Sequence, residues 1–288
     1  MPETRGSCLL CGSSRLRQDD FAAATLNLAG EHGVCQCCGC GFRFLNPRPT
    51  TQEYGELYSI GSGPLAEAYP VPQDFYSDNE RPRLEEYRQK LDILSRHGAK
   101  GRILELGSCT GLFLNEARNC GFEVEGIEPS KKDCQIALEK FGLRLHQGSI
   151  EQLDFPTGYF DVVFSSHVFE HLSDPLAAAR RISTWLRPGG FQMMEVPNQF
   201  TTLPKLRSRW LGRVKRRDRS LRSIHHTVFF APATLRLLGS LSGCEIIHVR
   251  NVYSRKRNVL RPGVLLGKAI ARLGFGARNI ELLAWKAH

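Results

Sequence analysis

Residues 102–111, RILELGSCTG, and residues 122–130, FEVEGIEPS, carry the clearest fold signal in this chain. Each stretch begins with the pattern of a short strand, and the first strand runs into a turn with glycine at positions 107 and 111. Glycine lets the backbone approach a ligand closely, and the helix that follows offers free N–H groups to an anion. Glu128 ends the second strand, about twenty residues after the turn, where a carboxylate can accept both hydroxyls of a ribose. The two stretches predict a strand–turn–helix unit that binds a nucleoside.

Short strands alternate with helices in both directions from this unit. Upstream, a helix is predicted from the capping sequence at Asp78–Pro82 to Gly98. Further strands are predicted at 143–148, 160–166, 191–198, 244–253 and 279–287, and helices at 112–119, 131–141, 175–186 and 233–241. The alternation predicts an α/β fold with a Rossmann-like, doubly wound, mostly parallel sheet, in which ligands bind at the carboxyl ends of the strands.

Composition and charge narrow the class of protein. The chain has 288 residues and carries a net charge of +10. Its hydrophobic fraction of 41% is too high for a disordered chain. No apolar run reaches the roughly 18 residues of a membrane span, and the start lacks a secretory pattern, so we expect a soluble cytoplasmic protein. Residues 205–222 and 246–288 each hold nine basic residues and one acidic residue, and the remainder is net negative. The charge therefore indicates a local surface that meets an anion, with a solvated arginine-rich loop as the alternative.

Six of the ten cysteines lie in the first forty residues: Cys8, Cys11, Cys35, Cys37, Cys38 and Cys40. Clustered Cys-x-x-Cys pairs in a cytoplasmic chain indicate a zinc site rather than disulfides. Two pairs complete one tetrahedral site, and the first pair is Cys8 with Cys11. The second is either Cys35 with Cys38 or Cys37 with Cys40, since a glycine follows each pair. The cluster predicts a small zinc-ribbon-like domain with a structural metal. Six reduced, unligated thiols are the alternative.

Several stretches, taken in order, resemble the class I S-adenosylmethionine-dependent methyltransferases. RILELGSCTG resembles the Glu/Asp-x-Gly-x-Gly-x-Gly turn of that family, and EVEGIEPS resembles its second motif. Three later stretches resemble its fourth-strand, fifth-strand and His-x-x-Phe-Phe segments: FPTGYFDVVFSSHVFEHLSDP, LRPGGFQMMEVPN and HHTVFFAPATLRLLGSLSGCEI. The resemblance covers residues 81–286. It implies a zinc-binding segment and linker at 1–72, and a methyltransferase domain at 73–288 with basic insertions at 205–222 and 254–277.

The resemblance also implies which residues contact the cofactor. The turn would hold the methionine part, Glu128 the ribose, and the loop after the third strand the adenine. The implied residues are Glu105, Gly107, Ser108, Cys109, Gly111, Glu128, Pro129, Ser149, Ile150, Ser165 and His167. The chain departs from the family at Cys109, which stands where the middle glycine is usual. We expect either a slightly different turn or a thiol that fills the space.

A subgroup of bacterial methyltransferases carries a zinc-binding segment before the catalytic domain. Its pattern of Cys-Gly, four residues and Asn-Pro-Arg-Pro resembles residues 40–49 here. The resemblance implies Cys8, Cys11, Cys37 and Cys40 as the zinc ligands, in preference to the pair Cys35 and Cys38. Members of this subgroup with assigned roles often methylate deoxysugars or other small metabolites.

An acceptor hydroxyl needs a base, and an imidazole that titrates near neutral pH is the natural choice. His171, just past the fourth strand, and His225 and His226, after the first basic segment, are the candidate catalytic residues. A helix-cap or packing role is the alternative for His171. Glu195, in the fifth strand, is expected either to bind substrate hydroxyls or to satisfy backbone groups.

These features predict a methyltransferase whose acceptor is a small molecule, such as a sugar or natural-product intermediate. The arginines of 205–222 suit phosphate, so an anionic or carrier-linked acceptor is expected. An RNA-modifying enzyme and a non-catalytic, zinc-stabilised cofactor-binding protein are the alternatives, and the net negative remainder disfavours nucleic acid. The amphipathic stretch at 264–276 permits peripheral membrane contact. The acceptor, the methylated atom and the oligomeric state stay open at this stage.

Overall fold

The computed structural model describes residues 4–26, 32–48, 50, 80–200, 226–252 and 279–287. The described strands are β1 (Leu16–Gln18), β2 (Val34–Cys37), β3 (Arg43–Leu45), β4 (Arg102–Leu106), β5 (Glu123–Glu128), β6 (His146–Gln147), β7 (Phe160–Ser166), β8 (Leu186–Pro197), β9 (Val228–Phe229), β10 (Cys244–Val252) and β11 (Asn279–Lys286). The described helices are α1 (Asp20–Leu26), α2 (Glu80–Arg96), α3 (Leu112–Asn119), α4 (Lys131–Phe141), α5 (Pro175–Trp185) and α6 (Pro232–Leu241), with a 3₁₀ turn at Phe169–His171.

A seven-stranded sheet has the order β10-β11-β8-β7-β4-β5-β6. The five strands from β8 to β6 in this order run parallel, whereas β11 pairs antiparallel with both β8 and β10. The chain builds outward from β4 to β6 and then returns to β7 on the other side of β4. The topological switch point therefore lies at the carboxyl ends of β4 and β7, where such sheets bind ligands.

Both faces of this sheet are covered. Adjacent residues of β7 point to opposite faces, so Phe164 packs with Phe113 of α3 while Val163 joins a cluster with Trp185 of α5. The local sequence sets the helix ends on these faces: the Ser130 hydroxyl accepts from the N–H of Asp133 at 3.2 Å at the start of α4. This side-chain cap fixes the residue at which α4 begins.

A second, four-stranded sheet has the order β1-β2-β3-β9, with every pair antiparallel. Three strands come from the cysteine-rich N-terminal segment, and β9 comes from the region after the first basic segment. Phe42 and Phe44 are fully buried at this junction, and the rings of Phe42 and Phe230 lie 5.3 Å apart between centroids. The N-terminal segment therefore packs against the larger sheet unit through a shared sheet and a shared core.

The sequence predicted the element types of the larger unit, and the structure adjusts some of their bounds. The third strand, predicted at 143–148, is paired only at His146–Gln147. Strand β8 begins at Leu186, the last residue of the helix predicted at 175–186, five residues before the start of the strand predicted at 191–198. The basic segments 205–222 and 254–277 and the boundary predicted near residue 72 lie outside the described residues. Within the described ranges, no helix combines the length and apolar character needed to cross a bilayer.

Candidate active site

The turn after β4 keeps the backbone shape that glycine usually provides, although Cys109 replaces the middle glycine. Gly107 and Gly111 have φ of 68° and 78°, and Cys109 itself has φ of 45°, in the left-handed region. A Cβ atom at Gly107 would lie 2.7 Å from Cγ2 of Val168, so glycine is required for this turn to approach the segment after β7. Burial, followed by the charges of Glu128 and Glu105, raises the pKa of the Cys109 thiol, which favours its protonated form.

Glu128 closes the turn from the neighbouring strand. Its two carboxylate oxygens accept from the backbone N–H groups of Cys109 and Ser130, each at 2.8 Å. Burial raises the pKa of Glu128, while the two backbone hydrogen bonds oppose that change. Glu105 is 4% exposed, and its Oε2 has no hydrogen-bond partner among the described residues. Burial and then the charge of Glu128 hold the pKa of Glu105 well above its ordinary range.

The other residues implied for the cofactor have different surroundings. The Ser108 hydroxyl donates to the carbonyls of Glu105 and Ile127, at 3.1 and 3.4 Å, so this side chain serves the turn itself. The Ser149 N–H donates to Gln152 Oε1 at 3.0 Å, and Ile150 is buried beside it. Pro129 is exposed and Ser165 is buried in β7.

A second group of side chains surrounds the buried carboxylate of Glu170, which is 1% exposed. His167 Nδ1 lies 3.2 Å from Glu170 Oε1, and the Nε2 atoms of His171 and His226 lie 3.9 and 4.0 Å from the same oxygen. The rings of His171 and His226 meet edge to face, with centroids 4.8 Å apart. One donor atom from each of Glu170, His171 and His226 lies within 4.8 Å of the others, close enough to share a proton or a cation. His225 falls outside the described residues.

The charges of this cluster shift the pKa values in opposite directions. Burial would raise the pKa of Glu170, but the hydrogen bond from His167 and the charges of the three histidines lower it to about 2. Burial would lower the pKa of His167, but the hydrogen bond to Glu170 and the charges of Glu170 and Glu195 raise it above 6.5. His167 has φ of 58°, which is uncommon for a residue with a side chain and is typical of functional sites.

Glu195 binds side chains, not backbone groups. Its carboxylate accepts from Lys90 Nζ and from Asn279 Nδ2, and the Asn279 amide also lies 3.3 Å from His167 Nε2. Lys90 also bridges to Glu281, whose other oxygen accepts from Arg250 Nε at 2.6 Å. This charged network joins α2 to the sheet directly behind His167.

Sequence reasoning missed Tyr87, Lys90, Glu170 and Asn279. Tyr87 packs edge-on against Phe113 and Phe164, at 5.3 and 6.4 Å between centroids, and burial and the charge of Glu105 raise its pKa. Glu170 could have been predicted from the sequence, because it lies three residues after His167 and immediately before His171. Lys90 and Asn279 gave no local signal, since their partners lie 105 and 84 residues away.

The four N-terminal cysteines Cys8, Cys11, Cys37 and Cys40 form a compact cluster, with their Sγ atoms within 4.8 Å of one another. Cys8 and Cys40 are 3.6 Å apart between sulfurs, as are Cys11 and Cys37. The alternative pair has other surroundings: Cys35 Sγ accepts from Asn46 Nδ2 at 3.4 Å, and Cys38 is exposed. Sulfurs at the corners of a zinc tetrahedron with bonds of about 2.3 Å are about 3.8 Å apart, so the cluster fits a zinc ion.

The glycine turn, Glu128 and the histidine–carboxylate cluster lie at the topological switch point, where open α/β sheets bind their ligands. Residues 79–249 match the family described as a methyltransferase domain, and the chain belongs to that family.

Several known proteins are similar to the chain. A ubiquinone biosynthesis O-methyltransferase of Nitrosococcus oceani is 28% identical over 213 residues, covering 69% of this chain and 82% of that protein. A protein of the same name from Bradyrhizobium is 28% identical over 141 residues, covering 47% of this chain and 54% of that protein. The chain thus spans about half the length of several curated relatives that it matches.

Solved structures show the same fold. A putative S-adenosylmethionine-dependent methyltransferase from Listeria monocytogenes superposes with a TM-score of 0.54 at 15% identity, covering 72% of this chain and 100% of that chain. At this level of identity the likeness shows the fold alone.

Proposed function

We propose that the protein transfers a methyl group from S-adenosylmethionine to a small-molecule acceptor, with the hydroxyl of a sugar or natural-product intermediate as the acceptor that the site suits best. The observation that carries the proposal is the contact between the two groups of side chains: the turn after β4 packs on Val168, which follows His167 directly. Cofactor and acceptor would therefore meet at the carboxyl ends of β4 and β7.

The residues of the turn fit the cofactor. Glu128, at the end of β5, would accept the ribose hydroxyls, and Glu105 Oε2, buried without a partner among the described residues, would accept from the cationic methionine end. Ile150 would line the adenine. When bound, the cofactor would supply a sulfonium methyl for the acceptor atom, and the electron pair of the broken carbon–sulfur bond would stay on sulfur.

The side chains on the acceptor side would orient the hydroxyl and remove its proton. His167 takes the proton, and the ionised Glu170 holds its imidazole through Nδ1 and stabilises the positive charge that develops. His171 and His226 surround the same carboxylate and share that charge. The nine basic residues of 205–222 come shortly before His226 in the sequence, and their charge favours an anionic or carrier-linked acceptor.

The N-terminal cysteines are proposed to hold a structural zinc ion. Cys8, Cys11, Cys37 and Cys40 supply four thiolates and leave no position for a water molecule or substrate, so the ion would stabilise the segment and take no part in methyl transfer.

Replacing Glu128 with alanine is expected to weaken S-adenosylmethionine binding. The loss of charge-assisted hydrogen bonds costs roughly 1.5–3 kcal/mol, which is an increase of about 10- to 150-fold in Kd. Isothermal titration calorimetry measures the change. The matched control is Glu123→Ala on the same strand, where the side chain is 73% exposed, and it should leave Kd unchanged. An unchanged Kd in Glu128→Ala would refute the ribose assignment.

Replacing Glu170 with glutamine is expected to lower the pKa of His167. The carboxylate stabilises the protonated imidazole, so its removal moves the titration of His167, and the rise of kcat/KM with pH, to lower pH. The maximal rate should fall by about 100-fold, the lower end of what a positioned base contributes. NMR titration of the imidazole and a pH–rate profile, with S-adenosylhomocysteine release as the assay, measure the two effects.

The control for this variant is Glu125→Gln. Glu125 holds the ring of His146 at 3.0 Å in an equivalent carboxylate–imidazole pair on the exposed side of β5. It should leave both the His167 titration and the rate profile unaltered. A His167 titration that is the same in wild type and Glu170→Gln would argue against the proposed base.

A further inference from the structure

We infer that the N-terminal segment, residues 4–48, forms part of the acceptor side of the active site, with Arg48 as the positioning residue for the turn that carries Glu170 and His171. The inference rests on the proposed function for its kinetic consequence, whereas the position of the imidazoles can be measured without methyl transfer. Arg48 lies in the Asn46–Pro49 motif, to which the chemistry of methyl transfer gives no role.

Arg48 reaches across the molecule to the end of the 3₁₀ turn. Its side chain is buried, with the residue 4% exposed, and its guanidinium donates to the carbonyl of Ser173 and, at 3.0 Å, to that of Leu172. These two carbonyls lie between His171 and the start of α5. A planar guanidinium with donors in a fixed fork holds two successive carbonyls in one orientation, which an ammonium does less well.

A second connection joins β3 to the same turn through Thr227. The N–H of Leu45 donates to the carbonyl of Thr227 at 2.8 Å, and the N–H of Thr227 donates to the carbonyl of Glu170 at 2.8 Å. The Thr227 hydroxyl donates to the carbonyl of Leu172 at 3.1 Å. Thr227 is fully buried and follows His226 directly, so the same hydrogen-bond chain fixes the backbone on both sides of the histidine–carboxylate cluster.

The apolar contacts make this connection stiff. Phe42 and Phe44, on either side of Arg43, are fully buried, and β3 pairs with β9 through Phe44 and Val228. A shift of β3 would therefore move His226 and the turn of Glu170. The reacting groups of an active site tolerate little displacement, since a misplacement of about 1 Å can cost about 100-fold in rate. The N-terminal segment would thus act on the acceptor chemistry through the position of these groups.

The test compares three variants of the full-length, metal-loaded protein as purified. Arg48→Ala removes both hydrogen bonds, Arg48→Lys keeps the charge, and Arg17→Ala is the control. Arg17 is an exposed arginine of the same segment whose side chain donates to Gln36 within that segment. The measurements are bound zinc, Kd for S-adenosylmethionine, the NMR resonance positions of the His171 and His226 imidazoles, and kcat and KM with an acceptor found by screening.

For Arg48→Ala we expect unchanged zinc content, a cofactor Kd within about twofold of wild type, displaced imidazole resonances of His171 and His226, and a fall of about 10- to 100-fold in kcat. Arg48→Lys should recover part of kcat, and Arg17→Ala should match wild type. Imidazole resonances of Arg48→Ala that keep their wild-type positions would overturn the inference. So would a loss of cofactor binding in step with kcat, because that result would mean a general loss of structure. If no acceptor is methylated even by wild type, the proposed function fails, while the imidazole resonances still decide the role of Arg48.

Discussion

Replacing Lys90 with methionine is expected to lower the free energy of unfolding by about 3–5 kcal/mol, the usual cost of leaving a buried charge without its partner. Lys90 is 6% exposed, and its ammonium bonds to the carboxylates of Glu195 and Glu281. These two glutamates lie directly opposite each other on β8 and β11, an arrangement that is unfavourable for like charges. Lys90 contacts both carboxylates, so its removal takes away the cation that the two buried groups share.

The two glutamates differ in the partners that they keep when Lys90 is replaced. Glu281 keeps Arg250 and His248, at 2.6 and 3.0 Å, and these groups together with Lys90 hold its pKa well below the ordinary range against the effect of burial. Glu195 would keep only the Asn279 amide and the more distant His167, at 4.0 Å, among the described residues. Most of the destabilisation should therefore arise at Glu195, close to the acceptor side of the site.

Urea denaturation of Lys90→Met, with the exposed Lys131→Met as control, measures the effect. The double variant Lys90→Met/Glu195→Gln should recover part of the lost stability, because it removes the charge that Lys90 neutralises. Equal unfolding midpoints for Lys90→Met and wild type would show that the network contributes nothing to stability. A double variant less stable than Lys90→Met would contradict the assignment of the cost to Glu195.

Replacing Cys37 with serine is expected to release the bound metal and unfold the N-terminal sheet. A structural zinc site contributes on the order of 10 kcal/mol of binding free energy to a small segment, and removal of one thiolate from four forfeits much of it. The Sγ of Cys37 lies 3.6 Å from that of Cys11 and accepts from the N–H of Gly39 at 3.3 Å. Because β3 pairs with β9, the loss should extend to the strand that follows His226.

The matched control is the adjacent residue. Cys38 is exposed and outside the cluster, so Cys38→Ser should keep about one metal ion per chain and normal folding. Elemental analysis of reduced protein measures the metal, and amide hydrogen exchange at β3 and β9 measures the unfolding. Metal content that is the same in Cys37→Ser and wild type, or a wild-type protein that carries none, would remove the zinc assignment.

The turn after β4 and the strands around it were predictable because their signals are local. The glycine turn and Glu128 are separated by one helix and one strand, and short connections of this kind leave few arrangements open to a parallel sheet. Even Cys109, the one departure from the family pattern, takes the left-handed conformation that the turn requires. The choice between the two cysteine pairs was open from spacing alone, because each pair is followed by glycine.

The acceptor side depends on contacts between distant parts of the chain. His171 and His226 were found in the sequence as candidate residues, but Glu170, the carboxylate near both, was not. Asn279, which contacts His167 and Glu195, was not found either. From the sequence alone, Lys90 would be assigned to the exposed face of a helix. It is buried only because α2 packs over the end of the sheet where Glu195 and Glu281 meet.

The amino-acid sequence alone determined the alternating α/β fold, the cofactor turn with its carboxylate, and a cysteine-rich segment with the composition of a zinc site. Each of these follows from hydrophobic periodicity, turn chemistry and the spacing of a few residues along the chain. The tertiary structure alone decided that β3 pairs with β9, that Arg48 holds the turn after Glu170, and that Lys90 lies between two carboxylates. Such pairings are set by burial and by the matching of charges across about a hundred residues or more, which no local pattern records.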